Sequence, residues 1–296
     1  MLHFLSIATI ALFCAIPQNL HRQSPYVGAI SADAKTGRVL FQANADSAAY
    51  PASVTKLMTL LLVLEDVEAG KYDLSTSIVA TDEATRLSEP SWLDLRPGQS
   101  MTVDDLLTAL MVKSANDAAI ALGVHSAGSF DAFVARMNAR AKELGMTRTR
   151  YYNPNGLPPT SRNGNKVRRY PWKEFNVSTC SDQLKLALEL VKRPQVFRYT
   201  SQKIASVTDG SGQKQEFVNH NNLMVKNRHK VFNPDGTEAV DGLKTGYIDA
   251  GGSSIVLTGK RGDSRAIVIV LGSASAKERD ESAGRLLLDA LDALAW

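Results

Sequence analysis

The chain places its strand-forming residues at its two ends and its helix-forming residues between them. Near the C-terminus, "GSSIVLTG" and "SRAIVIVLG" flank the short segment "KRGD". Two runs rich in β-branched residues around a Gly-containing turn predict a hairpin. Near the N-terminus, "VGAISAD" and "RVLFQ" flank "AKTG", which predicts a second hairpin with Gly37 free to take a positive φ. The intervening sequence reads as helices. Pro51 precedes an apolar-rich run that stops at Gly70, Thr102 with Asp105 fits a capping box, and a helix capped by Ser129 ends at Gly145. "SDQLKLALELVKR" is a further helix, and a final one runs through "KERDESAGRLLLDALDALAW". The order strands, helices, strands, helix predicts an α/β (α+β) fold. Its antiparallel sheet is built from both ends of the chain and flanked by helices, with a helical subdomain inserted at about residues 75–195.

Of the 296 residues, 44% are hydrophobic, enough for a core, and the net charge is only +4. No aromatic and basic stripe marks a nucleic-acid surface, so no nucleic-acid partner is expected. The opening "MLHFLSIATIALFCAIP" is apolar, uncharged and short for a membrane span. It reads as an export signal within residues 1–22, which places the rest of the chain, 23–296, outside the cytoplasm as one catalytic domain in the periplasm or cell envelope. The alternative is a buried strand or helix, because the start lacks Lys or Arg and no Ala-x-Ala site precedes Pro17. Phe13 is too bulky for Cys14 to be a lipoprotein cysteine. Loss of Cys14 with the signal leaves Cys180 without a partner, as a small buried residue at a helix start. The five histidines His3, His21, His125, His220 and His229 show no metal-ligand spacing, so neither metal nor cofactor is expected.

Three short motifs carry the chemistry, and each has a double elsewhere. Ser53-Val54-Thr55-Lys56 stands at the start of the first helix, where positions i and i+3 share a face. A neutral Lys56 could take the Ser53 proton without a histidine, if burial and nearby cations lowered its pKa. Backbone N–H groups at a helix start also suit a developing oxyanion. Ser211–Lys214 matches the same pattern in a polar, Gly-containing stretch that reads as a solvated loop. Ser114-Ala115-Asn116 breaks two apolar helices, where Ser114 could relay a proton and Asn116 could hold Lys56 or a substrate carbonyl. Ser161-Arg162-Asn163 repeats it in a basic loop at 158–176. Lys244-Thr245-Gly246 offers a cation, a hydroxyl and a gap for a substrate backbone, whereas Lys35-Thr36-Gly37 turns the first hairpin.

Ser-x-x-Lys, then Ser-x-Asn 61 residues later, then Lys-Thr-Gly 130 residues beyond, form an ordered set known from class A β-lactamases and penicillin-binding proteins. "PASVTKLMT", "LRPGQSMTVDDLLTALMVKSANDAAIALG", "FVARMNARAKELGMTRTRYYNPNGL" and "VDGLKTGYIDAGG" resemble the low-molecular-mass penicillin-binding proteins that act as D-alanyl-D-alanine carboxypeptidases, serine peptidases of the S11 type. The resemblance covers nearly the whole chain after the signal. It implies a β-lactamase/transpeptidase-like fold. It also implies that Ser53 attacks the carbonyl between two terminal D-alanines of a peptidoglycan stem peptide to form an acyl-enzyme. By the same resemblance, Lys56 is the general base and Ser114 and Asn116 complete the proton and substrate network. Lys244 and Thr245 bind the terminal carboxylate beside Gly246, and the backbone N–H groups of Ser53 and Tyr247 form the oxyanion hole. β-Lactam antibiotics are the expected covalent inhibitors.

The sequence departs from the family at Tyr247, where many members have His, and in the longer, more basic stretch at 158–176. No C-terminal β-domain or membrane anchor fits after the final helix, which reads as core-packing. Competing readings are a DD-endopeptidase using the same residues, a class A β-lactamase and a non-catalytic penicillin-binding protein. The β-lactamase needs a carboxylate base, for which only Glu174 and Glu189 are placed at all suitably.

Overall fold

The computed structural model describes residues 24–295 except 87–90, 164–165, 210 and 227–229. The expected signal, Cys14, His3, His21 and His229 lie outside the described residues. The first hairpin is β1 (Gly28–Asp33) and β2 (Val39–Ala43). A 3₁₀ turn, Ala52–Thr55, then runs directly into α1 (Lys56–Glu68). The small ribbon of β3 (Ser77–Val79) and β4 (Ser100–Thr102) has α2 (Asp82–Arg86) in its connection. Then come α3 (Val103–Val112), α4 (Asn116–Ala127), α5 (Phe130–Glu143), the hairpin β5 (Thr160–Asn163) and β6 (Lys166–Arg169), α6 (Cys180–Val191) and α7 (Gln195–Thr200). A hairpin of β7 (Ile204–Thr208) and β8 (Lys214–Val218) and the short α8 (Asn222–Val225) lead to three long strands. These are β9 (Val240–Ile248), β10 (Gly252–Arg261) and β11 (Ser264–Ser273), and α9 (Ala276–Ala293) closes the chain.

One antiparallel sheet has the order β2-β1-β11-β10-β9, so strands from both ends of the chain pair directly, with Ile30 opposite Ile269. Its faces follow from the two-residue period of a strand. Ile267, Ile269 and Leu271 point into the core shared with the helices, together with Ile30 and Val256. Ala266, Val268 and Val270 point the other way and pack with Leu287 and Leu291 of α9. Burial on both faces explains why β11 is almost uniformly apolar although it is antiparallel. Helix α1 is buried on nearly every side, from Leu57 to Leu64, which its run of leucines permits and an amphipathic sequence would not. It therefore serves as the central post on which the site is mounted.

Thr102 and Ser129 cap α3 and α5, accepting from the N–H groups of Asp105 and Ala132. Cys180 opens α6 as a buried thiol, whose pKa burial raises. Lys35-Thr36-Gly37 turns the first hairpin, with the Thr36 hydroxyl donating to the Asp33 carboxylate at 2.6 Å. Three expectations need correction. The basic 158–176 stretch is not all loop: Thr160 pairs with Arg169 and Asn163 with Lys166. Its Asn163-Gly164 dipeptide is a hairpin signal that polar composition concealed. Lys214, in the spare Ser-x-x-Lys, opens strand β8, because Asp209 gathers the N–H groups of Ser211 and Gln213 into a tight turn. The first helix follows Pro51 as expected, but its opening turn, Ala52–Thr55, is 3₁₀ and not α.

Candidate active site

That 3₁₀ turn matters for Ser53 and Lys56. With about three residues per turn, positions i and i+3 stack one above the other more closely than in an α-helix. Lys56 Nζ lies 2.9 Å from Ser53 Oγ. It also donates to Asn116 Oδ1 at 2.7 Å and to the Asn155 carbonyl at 2.6 Å. A neutral amine has two N–H bonds and one lone pair. Two fixed acceptors take the two hydrogens, and the lone pair is left facing the Ser53 hydroxyl. The Lys56 side chain is completely buried, and burial followed by the charge on Lys244 lowers its pKa well below the ordinary lysine value; Asp117 opposes this in part. Both geometry and electrostatics thus favour the basic form.

The turn "NPNGL" grips this assembly from below. Thr59 Oγ1 donates to the Pro154 carbonyl at 2.8 Å, and Asn155 supplies its carbonyl to Lys56. Gly156, at φ +85°, lies so near the nucleophile segment that a Cβ would fall 1.9 Å from the Ala52 carbonyl oxygen. Ala52 itself has a left-handed φ of 51°. Buried Asn176 ties the turn to the helix: its amide donates to Thr55 Oγ1 at 3.0 Å and to the Asn153 carbonyl at 2.9 Å. Sequence patterns assign no role to Asn155, Gly156 or Asn176. The signal available was the Asn-Pro-Asn-Gly turn itself, but Asn155 meets Lys56 across a separation of 99 residues in the chain.

Ser114 sits in the break between α3 and α4 with a left-handed φ of 62°, uncommon for a residue with a Cβ. Asn116 opens α4, and its N–H donates to the Ser91 carbonyl at 2.7 Å. The neighbouring Asp117 is buried and accepts from the N–H groups of Leu93 and Leu95, which fixes the 91–95 segment. Burial pushes its carboxyl up to about 6, against the N–H groups of Leu95, Leu93 and Ala118.

Strand β9 forms the edge of the sheet and runs beside the 3₁₀ turn. A Cβ on Gly246 would lie 2.6 Å from the Pro51 carbonyl oxygen and 3.1 Å from the Ser53 nitrogen. Glycine is what allows this strand to reach the nucleophile segment. Lys244 and Thr245 are buried, and Lys244 Nζ donates to the Thr245 carbonyl at 3.0 Å. Burial, then the charge of Arg279 on α9, brings the Lys244 pKa down to about 7. The final helix, read as core-packing, therefore also places a cation beneath the site; Arg279 is buried and paired with Asp280 at 2.6 Å. Tyr247 follows with its ring 62% exposed and its hydroxyl donating to Asp249 at 2.8 Å. Its side chain points out of the protein, and only its backbone continues the strand. Glu189 is engaged by Lys192 and Arg193 on the surface of α6, as an ion-pair member and not a base. Among the described residues no group of three His, Cys, Asp or Glu side chains could hold a metal.

An antiparallel sheet covered on one face by a helical block, with a Ser–Lys pair beneath the edge strand, defines the transpeptidase and β-lactamase class of fold. The chain belongs to the peptidase S11 family, D-alanyl-D-alanine carboxypeptidase, whose pattern matches residues 22–275. It is 32% identical over 259 residues to the D-alanyl-D-alanine carboxypeptidase DacF of Bacillus subtilis, a match covering 88% of this chain and 60% of that protein. The chain thus spans about three fifths of that relative's length. Among solved structures it is similar to PBP3 of Streptococcus pneumoniae, a peptidoglycan synthesis regulatory factor, with a TM-score of 0.77 and 31% identity over 91% of this chain and 72% of that one. It is also similar to penicillin-binding protein D2 of Listeria monocytogenes in its ampicillin-bound form, with a TM-score of 0.70 and 28% identity over 92% of this chain and 99% of that one.

Proposed function

We propose that this protein is a serine D-alanyl-D-alanine carboxypeptidase that trims peptidoglycan stem peptides in the cell envelope and is acylated by β-lactams. The observation that carries the reading is the Lys56 amine, hydrogen-bonded by two fixed acceptors so that its third position meets Ser53 Oγ at 2.9 Å. In this reading Ser53 Oγ attacks the carbonyl carbon between the two D-alanines as its proton passes to Lys56. The carbonyl oxygen, now an oxyanion, accepts from the backbone N–H groups of Ser53 and Tyr247. The C–N bond breaks, and the leaving D-alanine nitrogen takes a proton from Lys56, through Ser114. Water then hydrolyses the ester by the reverse route. Lys244 and Thr245 hold the terminal carboxylate, Asn116 orients the Lys56 amine and the substrate amide, and Gly246 leaves room for the substrate backbone.

Intact-mass measurement after incubation with benzylpenicillin, followed by peptide mapping, tests this. One adduct on Ser53, together with D-alanine release from a pentapeptide, is expected. Absence of both would refute it. Digestion of cross-linked wall fragments separates tail trimming from cross-link cleavage, which the same residues could perform.

A further inference from the structure

The long stretch at 158–176 has no part in the chemistry above, yet its returning limb reaches both halves of the Ser53–Lys56 pair. That limb, residues 170–176, follows β6. Pro171, Lys173 and Glu174 are exposed on it, whereas Trp172 is buried and Phe175 half-buried.

Trp172 makes the first contact. Its Nε1–H is shared between the Leu157 and Pro158 carbonyls, at 3.1 Å each. The indole stacks on Tyr170 and on Phe130, with centroids 4.6 and 5.7 Å away and planes 4° and 7° from parallel. Phe130 opens α5, so the indole is fastened to the helical block. Leu157 also accepts from Asn153 Nδ2 at 3.0 Å, and its own N–H donates to Asn155 Oδ1 at 3.0 Å. Asn155 is the residue whose carbonyl holds Lys56. Trp172 therefore fixes the turn next to the Lys56 acceptor.

Phe175 makes the second contact. Its ring stacks on Tyr50, with 4.4 Å between centroids and 21° between planes. Tyr50 leads directly into Pro51, Ala52 and Ser53. A Cβ on Gly251 would fall 2.9 Å from Tyr50 Cβ, so the β9–β10 turn presses on the same residue. Asn155 and Lys56 are separated by 99 residues of chain, and the Lys56 amine must meet both the Asn155 carbonyl and Ser53 Oγ. Such a spacing holds only where both segments are tied to a common body.

We propose that Trp172 and Phe175 are positioning residues for the acylation step. Together they brace the Asn155 carbonyl and the Ser53 segment at a fixed separation, so that the Lys56 amine meets both. The proposal rests on the carboxypeptidase reading and adds two residues that act through the turn and through the nucleophile segment.

The test is the rate of benzylpenicillin acylation as a function of pH. Trp172→Phe keeps the ring stack and removes the Nε1–H donor, and Phe175→Leu removes the stack on Tyr50. Each variant should acylate about ten- to a hundredfold more slowly at saturating penicillin, with the non-covalent dissociation constant unchanged. Burial is the first cause of the low Lys56 pKa, so a turn that opens to water raises it. The acidic limb of the profile should therefore move to higher pH by about half a unit to one unit. The groups coupled to Lys56 by charge, Lys244 on β9, Asp117 on α4 and His220, are the same in both variants. Loss of stability alone lowers the fraction acylated and leaves that limb in place. Phe175→Tyr keeps the ring and should restore the wild-type rate and profile. Wild-type behaviour in both Trp172→Phe and Phe175→Leu overturns the brace and leaves the carboxypeptidase reading intact. Slower acylation with an unmoved acidic limb assigns both residues to packing alone and overturns the brace too. A wild type that neither takes up penicillin nor releases D-alanine overturns the carboxypeptidase reading itself. If neither variant folds, hydrogen exchange in the wild type decides. Gly156 and Leu157 amides that exchange as slowly as those of α1 support the brace, and exchange as fast as in the surface turn at Asp209 overturns it.

Discussion

Gly156 and Ala52 are in such close contact that any side chain at 156 would occupy the position of the Ala52 carbonyl oxygen, 1.9 Å from where its Cβ would stand. The residue after Ala52 is Ser53, so the Asn-Pro-Asn-Gly turn sets the height of the proposed nucleophile. Gly156→Ala adds a clash to a left-handed φ of +85°. The expected loss is about 3 kcal/mol or more of stability. Penicillin acylation should fall with it in the fraction that remains folded. Urea unfolding and acylation rates, measured on the same preparation, check both.

Ser53→Ala removes the proposed nucleophile while leaving Lys56 its two fixed acceptors. It should fold normally, release no D-alanine and carry no penicillin adduct by mass. Lys56→Met removes the proposed base instead. Acylation should slow by about 10²–10⁴-fold, the usual worth of a positioned general base. An acylation rate close to that of wild type would show that another group accepts the Ser53 proton.

Lys244 titrates near neutrality because burial and Arg279 disfavour its charge. In the free enzyme the cation expected to hold a terminal carboxylate is lost as pH rises through about 7. For a peptide with a free C-terminus, kcat/KM should decline above that pH by up to about tenfold per unit. The methyl ester of the same peptide should show no such decline. Parallel profiles for acid and ester would remove Lys244 from carboxylate binding.

Asp66 anchors α1 to α4 and α5. It is buried and accepts from Arg136 at 2.6 and 2.7 Å, Lys71 at 2.6 Å and Ser126 at 2.5 Å. Burial raises its pKa, but the hydrogen bonds from Arg136, Lys71 and Ser126 outweigh that and bring it down to about 2. A carboxyl depressed in the folded state contributes stability above its unfolded pKa of 3.8, and that contribution fades as pH falls through about 2. Asp66→Asn should cost about 3 kcal/mol at neutral pH. The difference between variant and wild type should shrink when urea unfolding is repeated between about pH 4 and about pH 2.

The sequence by itself determined the fold class and named the candidate site residues. Strand patterns at both chain ends required a sheet built from both, since a β-branched run such as "AIVIVLG" must find partners on either side. The order and type of Ser53, Lys56, Ser114, Asn116 and Lys244 were legible because each motif is local, three or four residues long. Which copy of each motif works was read from its neighbours, because the triplets themselves are identical; what was not legible was how the working copy is packed. Lys35-Thr36-Gly37 turns at a hairpin tip with Asp33, whereas Lys244-Thr245-Gly246 lies on an edge strand pressed against Pro51 and Ser53. Nor could the sequence supply the Asn155 carbonyl beside Lys56, Arg279 beneath Lys244, or the Phe175 ring against Tyr50. Those juxtapositions join segments well separated along the chain. The electrostatics depend on them, because a lysine's pKa is set by burial and neighbouring charge, and only the tertiary fold fixes either.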